Sequence, residues 1–155
     1  KIDQTIIDYI KKNFNLIVGD RTAEDIKIKI GSAVLVEEEK SYKIKGRDFL
    51  TGLPRTADIT TNEIVKAIDV ELKEIIKVIK KVLQETPPEL ASDIIDHGIV
   101  MTGGSSVLRN IDELVFRSTG VKARVADDAL FCVAKGTGIA LDHIDTYKKS
   151  IIAKR

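Results

Sequence analysis

The sequence predicts an α/β chain of two lobes, on the strength of two patterns. From residue 98 onward strand and helix periodicities alternate: strand 98–101, helix 105–117, strand 122–126, helix 130–142. A strand–helix–strand order of that length makes the two strands parallel, as in a βαβ unit. Earlier, "SYKIKGR" (41–47) sets Tyr42, Ile44 and Gly46 against Lys43, Lys45 and Arg47, which is strand periodicity, and a long helix follows. These textures divide the chain into a small α+β lobe at 21–85 and a large α/β lobe built from 1–20 and 86–155.

Each element has its own signal. Ile2, Ile6, Ile7, Ile10 and Phe14 recur at helical spacing and predict an amphipathic helix over 2–13, broken at Gly19-Asp20. A second helix is expected near Thr22, where Thr22 and Asp25 are spaced as a capping box with a shortened acid. Its apolar face is Ala23, Ile26, Ile30 and Ala33. The run Glu37–Lys40 reads as a solvated loop. "TADIT" (56–60) is the partner strand of 41–47, and "DFLTGLP" connects the two. Thr60 and Glu63 form a better capping box, opening a helix to about Gln84 with Ile64, Ile68, Leu72, Ile75, Ile79 and Val82 as its apolar stripe. Asp69/Lys73 and Glu74/Lys77 are spaced for surface ion pairs. Pro87-Pro88 ends that helix and starts another, "PELASDIID". Gly136 and Gly138 inside the last helix cost about 1 kcal/mol each in propensity; close packing onto the sheet is the expected compensation.

Two parallel strands do not make a stable sheet, so further strands are expected from another chain or from upstream sequence. The chain also opens without Met and in mid-pattern, at "KIDQTIIDYIKKNF", which reads as a piece of something longer.

Composition narrows the function classes. The 155 residues include 25 basic and 24 acidic ones, net +1, which makes no general electrostatic case for nucleic acid. Cys132 is the only cysteine, so no internal disulfide forms and a reducing cytoplasmic setting fits. No apolar run approaches the ~20 residues that span a bilayer. His97 and His143 are isolated, Cys132 sits in an apolar stretch, and no serine has a triad around it, so no catalytic set is visible and no metal ligands are expected.

"GIVMTGGSSVLRN" (98–110) holds the most pointed pattern: a short strand expected to be buried, two glycines, two serines, then an expected helix. Glycines permit positive φ and close approach of a ligand, and the first N–H groups of a helix attract an acceptor or an anion. The pattern is neither GxGxxG nor a GxxxxGKS phosphate loop. From the residues alone it is either a tight turn with a serine cap or a ligand-binding corner.

"GIVMTGGSSVLRNIDELVFRSTGVKARVADDALFCVAKGTGIAL" resembles the C-terminal part of the MreB family of bacterial actin-like filament proteins. "LIVGDRTAEDIKIKIGSA" and "KIKGRDFLTGLPRTADITTNEI" resemble the same family's second domain, nearly without interruption from residue 1 to about 146. The resemblance implies an actin/Hsp70-like ATPase fold, second half only. It implies that Gly103, Gly104, Ser105 and Ser106 are the adenosine motif, lying against the base and ribose of ATP or ADP. It places Glu24 and Lys27 across from that turn, the Glu24 carboxylate toward the ribose hydroxyls and the Lys27 stem over the adenine. By spacing alone these two residues would equally be an i,i+3 surface ion pair worth ~0.3 kcal/mol. Two residues depart from the family pattern: Ser105 where Gly is frequent, and Ala129 where Pro is frequent.

Further expectations follow from the resemblance. The parent protein would bind ATP or ADP with Mg²⁺ and hydrolyse ATP, using phosphate hairpins, metal-positioning acids and a first domain that lie outside these residues. This chain alone would be inactive. Its partners would be other subunits, in filaments that govern cell shape, met through 41–85. The tail "DTYKKSIIAKR" sets Lys148, Lys149, Lys154 and Arg155 around Ile151 and Ile152. It reads as a frayed end or as a peripheral membrane contact. The alternatives are a fragment of an Hsp70-like or sugar-kinase-like ATP-binding domain, against which "KGRDFLTGLPRT" speaks, and a nucleotide-free interaction module.

Overall fold

The computed structural model describes residues 1–151. The chain opens with α1 (Ile2–Phe14), which buries Ile6 and Ile10, and Asn15 in the left-handed region ends it. A two-residue strand, β1 (Leu16–Ile17), follows, then α2 (Asp20–Ile30), β2 (Ser41–Asp48), β3 (Pro54–Thr60) and the 25-residue α3 (Thr61–Glu85). The three strands form one antiparallel sheet in the order β1-β2-β3, with Leu16 opposite Asp48 and Ile44 opposite Ala57. α1, α2 and α3 cover its apolar face in one core that includes Ile6, Ile26, Ile44, Ile59, Ile64 and Ile68.

The second part holds α4 (Pro88–His97), β4 (Ile99–Met101), α5 (Ile111–Thr119), β5 (Ala123–Val125), α6 (Cys132–Asp142) and α7 (Ile144–Ile151). β4 and β5 pair in parallel, Ile99 opposite Ala123, as the βαβ reading expects. α4 and α6 bury no residue, and Leu90, Ile95, Val133 and Leu141 are each more than half exposed. Nothing lies within 4 Å of a Cβ built at Gly136 or Gly138, so the expected close packing of these glycines onto a sheet is absent. No helix among the described residues is long and apolar enough to cross a membrane. Residues 152–155 of the basic tail lie outside the described residues.

Several expectations change in the structure. Residues 1–20, placed by sequence with 86–155, pack instead with 20–72: β1 pairs with β2, and the α1 isoleucines enter the core of the three-stranded sheet. α2 starts at Asp20 with Gly19 as its N-cap and no side-chain cap, so the Thr22/Asp25 box is not used. The Thr60/Glu63 box is realised in both directions: Glu63 N–H donates to Thr60 Oγ1, and Thr60 N–H donates to Glu63 Oε2 at 2.8 Å. The α3 stripe holds through Ile64, Ile68 and Leu72, then moves to Ile76, leaving Ile75 and Val82 exposed, because the helix runs past the sheet that its first half covers. The expected helix 105–117 is two pieces, a single 3₁₀ turn at Gly104–Val107 and then α5. Leu108, buried and extended, and Asn110, left-handed at φ 62°, separate them.

Candidate functional site

The glycine corner is built from β4 outward. Gly103 adopts φ 87°, a conformation that needs glycine, and its N–H donates to the Ala129 carbonyl at 2.8 Å. The Ser106 N–H and hydroxyl both donate to the Gly103 carbonyl, at 3.2 and 2.7 Å. Ser106 is therefore buried and committed to the turn, whereas Gly104 and Ser105 are exposed. With only a 3₁₀ turn after Gly103, the corner presents no α-helix N-terminus. What it offers is short backbone and one free hydroxyl.

A second element faces it. Glu24, Lys27 and Ile28 lie on one face of α2, and together with Gly104, Ser105 and Leu130 they line a cleft of about 440 Å³. Ile2, Val107 and Leu108 complete its walls. The volume falls in the ordinary range for small-molecule sites, and the make-up is typical of them, apolar walls with a few polar groups. Gly104 opens into this space: a Cβ built there meets only Leu130 Cδ2, at 3.5 Å.

The two sides of the cleft are tied at its base. Ala33 N–H donates to the Arg109 carbonyl at 2.8 Å, and the Asn110 amide donates to Ser32 Oγ at 3.1 Å. Gly31 permits the approach, since a Cβ there would sit 2.2 Å from the Lys27 carbonyl and 3.0 Å from Leu108 Cδ1. These bonds join the segment after α2 to the segment after the turn.

Lys27 is not paired with Glu24, the partner its spacing suggested. Its ammonium lies 2.7 Å from Asp3 Oδ1 on α1, and the Glu24 carboxylate is left exposed. On the other wall, Asp128 orders the loop that carries Leu130. Its hydrogen bond from Lys135, strengthened by that cation's charge, holds the Asp128 carboxyl below the usual carboxylate range and raises Lys135. Among the described residues no group of three or more His, Cys, Asp or Glu could hold a metal ion.

Of the six residues singled out in the sequence, the structure gathers Glu24, Lys27, Gly104 and Ser105 around one cleft. Gly103 and Ser106 stand behind it as the frame of the turn. Sequence reasoning missed Asp3 and the apolar walls. Ile28 carried a signal: it is an isoleucine one turn from Glu24, off the buried face of α2, and 71% exposed. No comparable signal marked Leu130.

A family model described as MreB/Mbl protein matches residues 1–149. The cell shape-determining protein Mbl of Bacillus cereus is 43% identical over 149 residues, 96% of this chain and 45% of that protein. The cell shape-determining protein MreB of Escherichia coli is 42% identical over 147 residues, 95% of this chain and 42% of that protein. Among solved structures, MreB5 of Spiroplasma citri bound to ADP superimposes with a TM-score of 0.89 at 38% identity, covering 96% of this chain and 45% of that one. The same protein bound to AMPPNP gives 0.88. The chain thus spans less than half the length of the relatives it matches.

Proposed function

The chain belongs to the MreB/Mbl family of actin-like cell-shape proteins, and on that premise we propose that it supplies the adenosine side of a nucleotide cleft and a filament contact. One observation carries the first part: Glu24 and Lys27 on α2 and Gly104 and Ser105 on the turn line a single cleft of nucleoside size. The Glu24 carboxylate accepts the ribose hydroxyls, the Lys27 stem and Leu130 enclose the base, and Ser105 adds a hydroxyl at the rim. Support comes from the relative solved with ADP and with AMPPNP. Phosphates and Mg²⁺ would be held by residues outside this chain, which accordingly binds nucleotide weakly and does not hydrolyse it alone. The family match along 1–149 disfavours the Hsp70-like and sugar-kinase-like alternatives.

The filament contact is assigned to the β2–β3 hairpin. Its tip exposes Phe49, Leu50 and Leu53, yet the turn is ordered: Asp48 Oδ1 accepts from Leu50 N–H and Thr51 N–H, and Arg55 donates to Asp48 Oδ2 at 2.9 Å. An ordered apolar tip suits insertion into a neighbouring subunit. Association in the cytoplasm, with the membrane reached through the basic tail, completes the proposal.

Calorimetric titration of ADP into the chain and into its Gly104→Val variant tests the nucleotide assignment. Binding by the chain and none by the variant is expected. Equal affinity for both would refute it.

A further inference from the structure

A second cleft shares no lining residue with the proposed nucleotide site. It runs between α3 and α5, has a volume of about 680 Å³, and its walls are Leu72, Ile76, Leu114 and Ala33. Four lysines of α3 edge it: Lys73, Lys77, Lys80 and Lys81. Asp69 is the sole acid lining it. The acids Glu71 and Glu74 line a different cleft, with Ile75, Val78 and Ile79. α3 therefore carries five lysines and five acids but sorts them, most of the lysines to one flank.

We propose that this groove docks an acidic amphipathic helix of a partner protein. Three features select that occupant. The groove is lined from Asp69 to Gln84 of α3, a length of about 22 Å at 1.5 Å per residue, which matches four turns of helix. Its two walls are helices, so a third helix fits between them with an i, i+3/i+4, i+7 apolar stripe on Leu72, Ile76 and Leu114. The lysine edge selects the charge. Lys80 has no ion pair among the described residues, and the links of Lys77 to Glu74 and Lys81 to Glu85 are both long, at 3.9 Å. These ammonium groups are exposed and free to exchange onto carboxylates flanking the stripe. A basic or uncharged helix would meet repulsion or nothing at that edge, so charge sets the specificity and the apolar floor supplies most of the affinity.

Fluorescence anisotropy with a labelled 16-residue helical peptide, leucine on one stripe and glutamate elsewhere, tests this. The controls are a peptide with lysine in place of glutamate and two variants of the chain. Micromolar binding of the acidic peptide is expected, weakening with salt. It should weaken about tenfold or more in the triple variant Lys77→Glu, Lys80→Glu, Lys81→Glu, and also in Ser118→Trp, which fills the groove without changing charge. Neutralising Lys43, Lys45 and Arg47, on the far sheet, should leave binding unchanged. Equal binding of the basic peptide, or insensitivity to both groove variants, would overturn the proposal. So would binding to this chain but not to a polypeptide carrying both halves of the protein, because the rest of that protein would then own the groove.

Discussion

At the scale of single residues, the proposed adenosine cleft rests on one ion pair and one missing side chain. Asp3 fixes Lys27, and the pair is only partly shielded, with side-chain exposures of 38% and 25%. Such pairs are worth up to about 1 kcal/mol. Asp3→Asn should therefore weaken ADP binding about threefold with little change in thermal stability, as titration and calorimetry of the same samples would read. Gly104 matters for what it leaves empty: valine there projects beyond the 3.5 Å contact with Leu130 and into the cleft. Gly103→Ala acts differently. At φ 87° it strains the turn itself, so it should lower stability as well as binding.

The residue scale is also where the sequence was least legible. Glu24 and Lys27 were singled out by family resemblance; their spacing alone suited a mutual ion pair equally well, and that pair does not form in the structure. Asp3 was invisible because its partner is 24 positions away on another helix. Ser106 reads as a ligand group, but its hydroxyl is spent on the Gly103 carbonyl.

At the scale of elements, the caps and the hairpin turn are the testable parts. Thr60→Ala removes the side-chain half of a complete capping box and should cost about 1 kcal/mol in urea unfolding. The β2–β3 turn depends on an ionised Asp48. The Thr51 N–H, with the Leu50 N–H, the Thr51 hydroxyl and the Arg55 charge adding, holds this carboxyl below its ordinary value. A depressed carboxylate contributes stability that is present above the unfolded pKa, near 4, and is lost as pH falls through the lower folded value. Hydrogen exchange at residues 49–53 should thus accelerate on acidification below about pH 4, relative to its intrinsic rate. In Asp48→Ala exchange should be fast at every pH, with no acid step. Leu50→Glu, at the tip, should block assembly of a polypeptide carrying both halves of the protein, measured by sedimentation, while leaving its nucleotide affinity intact.

Elements were the most legible level. Periodicity gave α1, α3 and the hairpin to within a few residues, because each has an apolar face long enough to show its period, while the three-residue strands of the parallel pair were read from the alternation of strand and helix around them. β1 has two residues and no period to read. The glycine corner was read as opening a helix because Ser-Ser-Val-Leu suits one; the buried extended Leu108 and left-handed Asn110 that interrupt it are tertiary choices.

At the scale of the whole molecule, the two parts differ in how complete they are. Residues 1–76, together with Leu108 and Ile111, bury a continuous core, whereas α4 and α6 bury nothing and the parallel sheet has two strands. The chain accounts for 42–45% of the length of its relatives. The exposed apolar residues of α4 and α6 should therefore make residues 86–151 less protected in hydrogen exchange than 1–76, and a longer polypeptide should restore that protection. ATP hydrolysis by the chain alone should stay at the buffer blank, since the phosphate hairpins that would stabilise a transferring phosphoryl group are expected outside these residues. The lobe boundary expected at residue 20 cuts across this packing: Leu16 pairs with Asp48, 32 residues away, and Ile6 and Ile10 share the core of the three-stranded sheet.

The most direct measurement is a two-dimensional amide NMR titration of the chain with ADP, which detects weak binding and locates it. Shifts should concentrate at Glu24, Lys27, Ile28, Gly104, Ser105 and Leu130, leave Lys77, Lys80 and Lys81 unmoved, and vanish in Gly104→Val. Shifts confined to other surfaces, or a full set of shifts persisting in Gly104→Val, would contradict a shared adenosine site between α2 and the glycine turn.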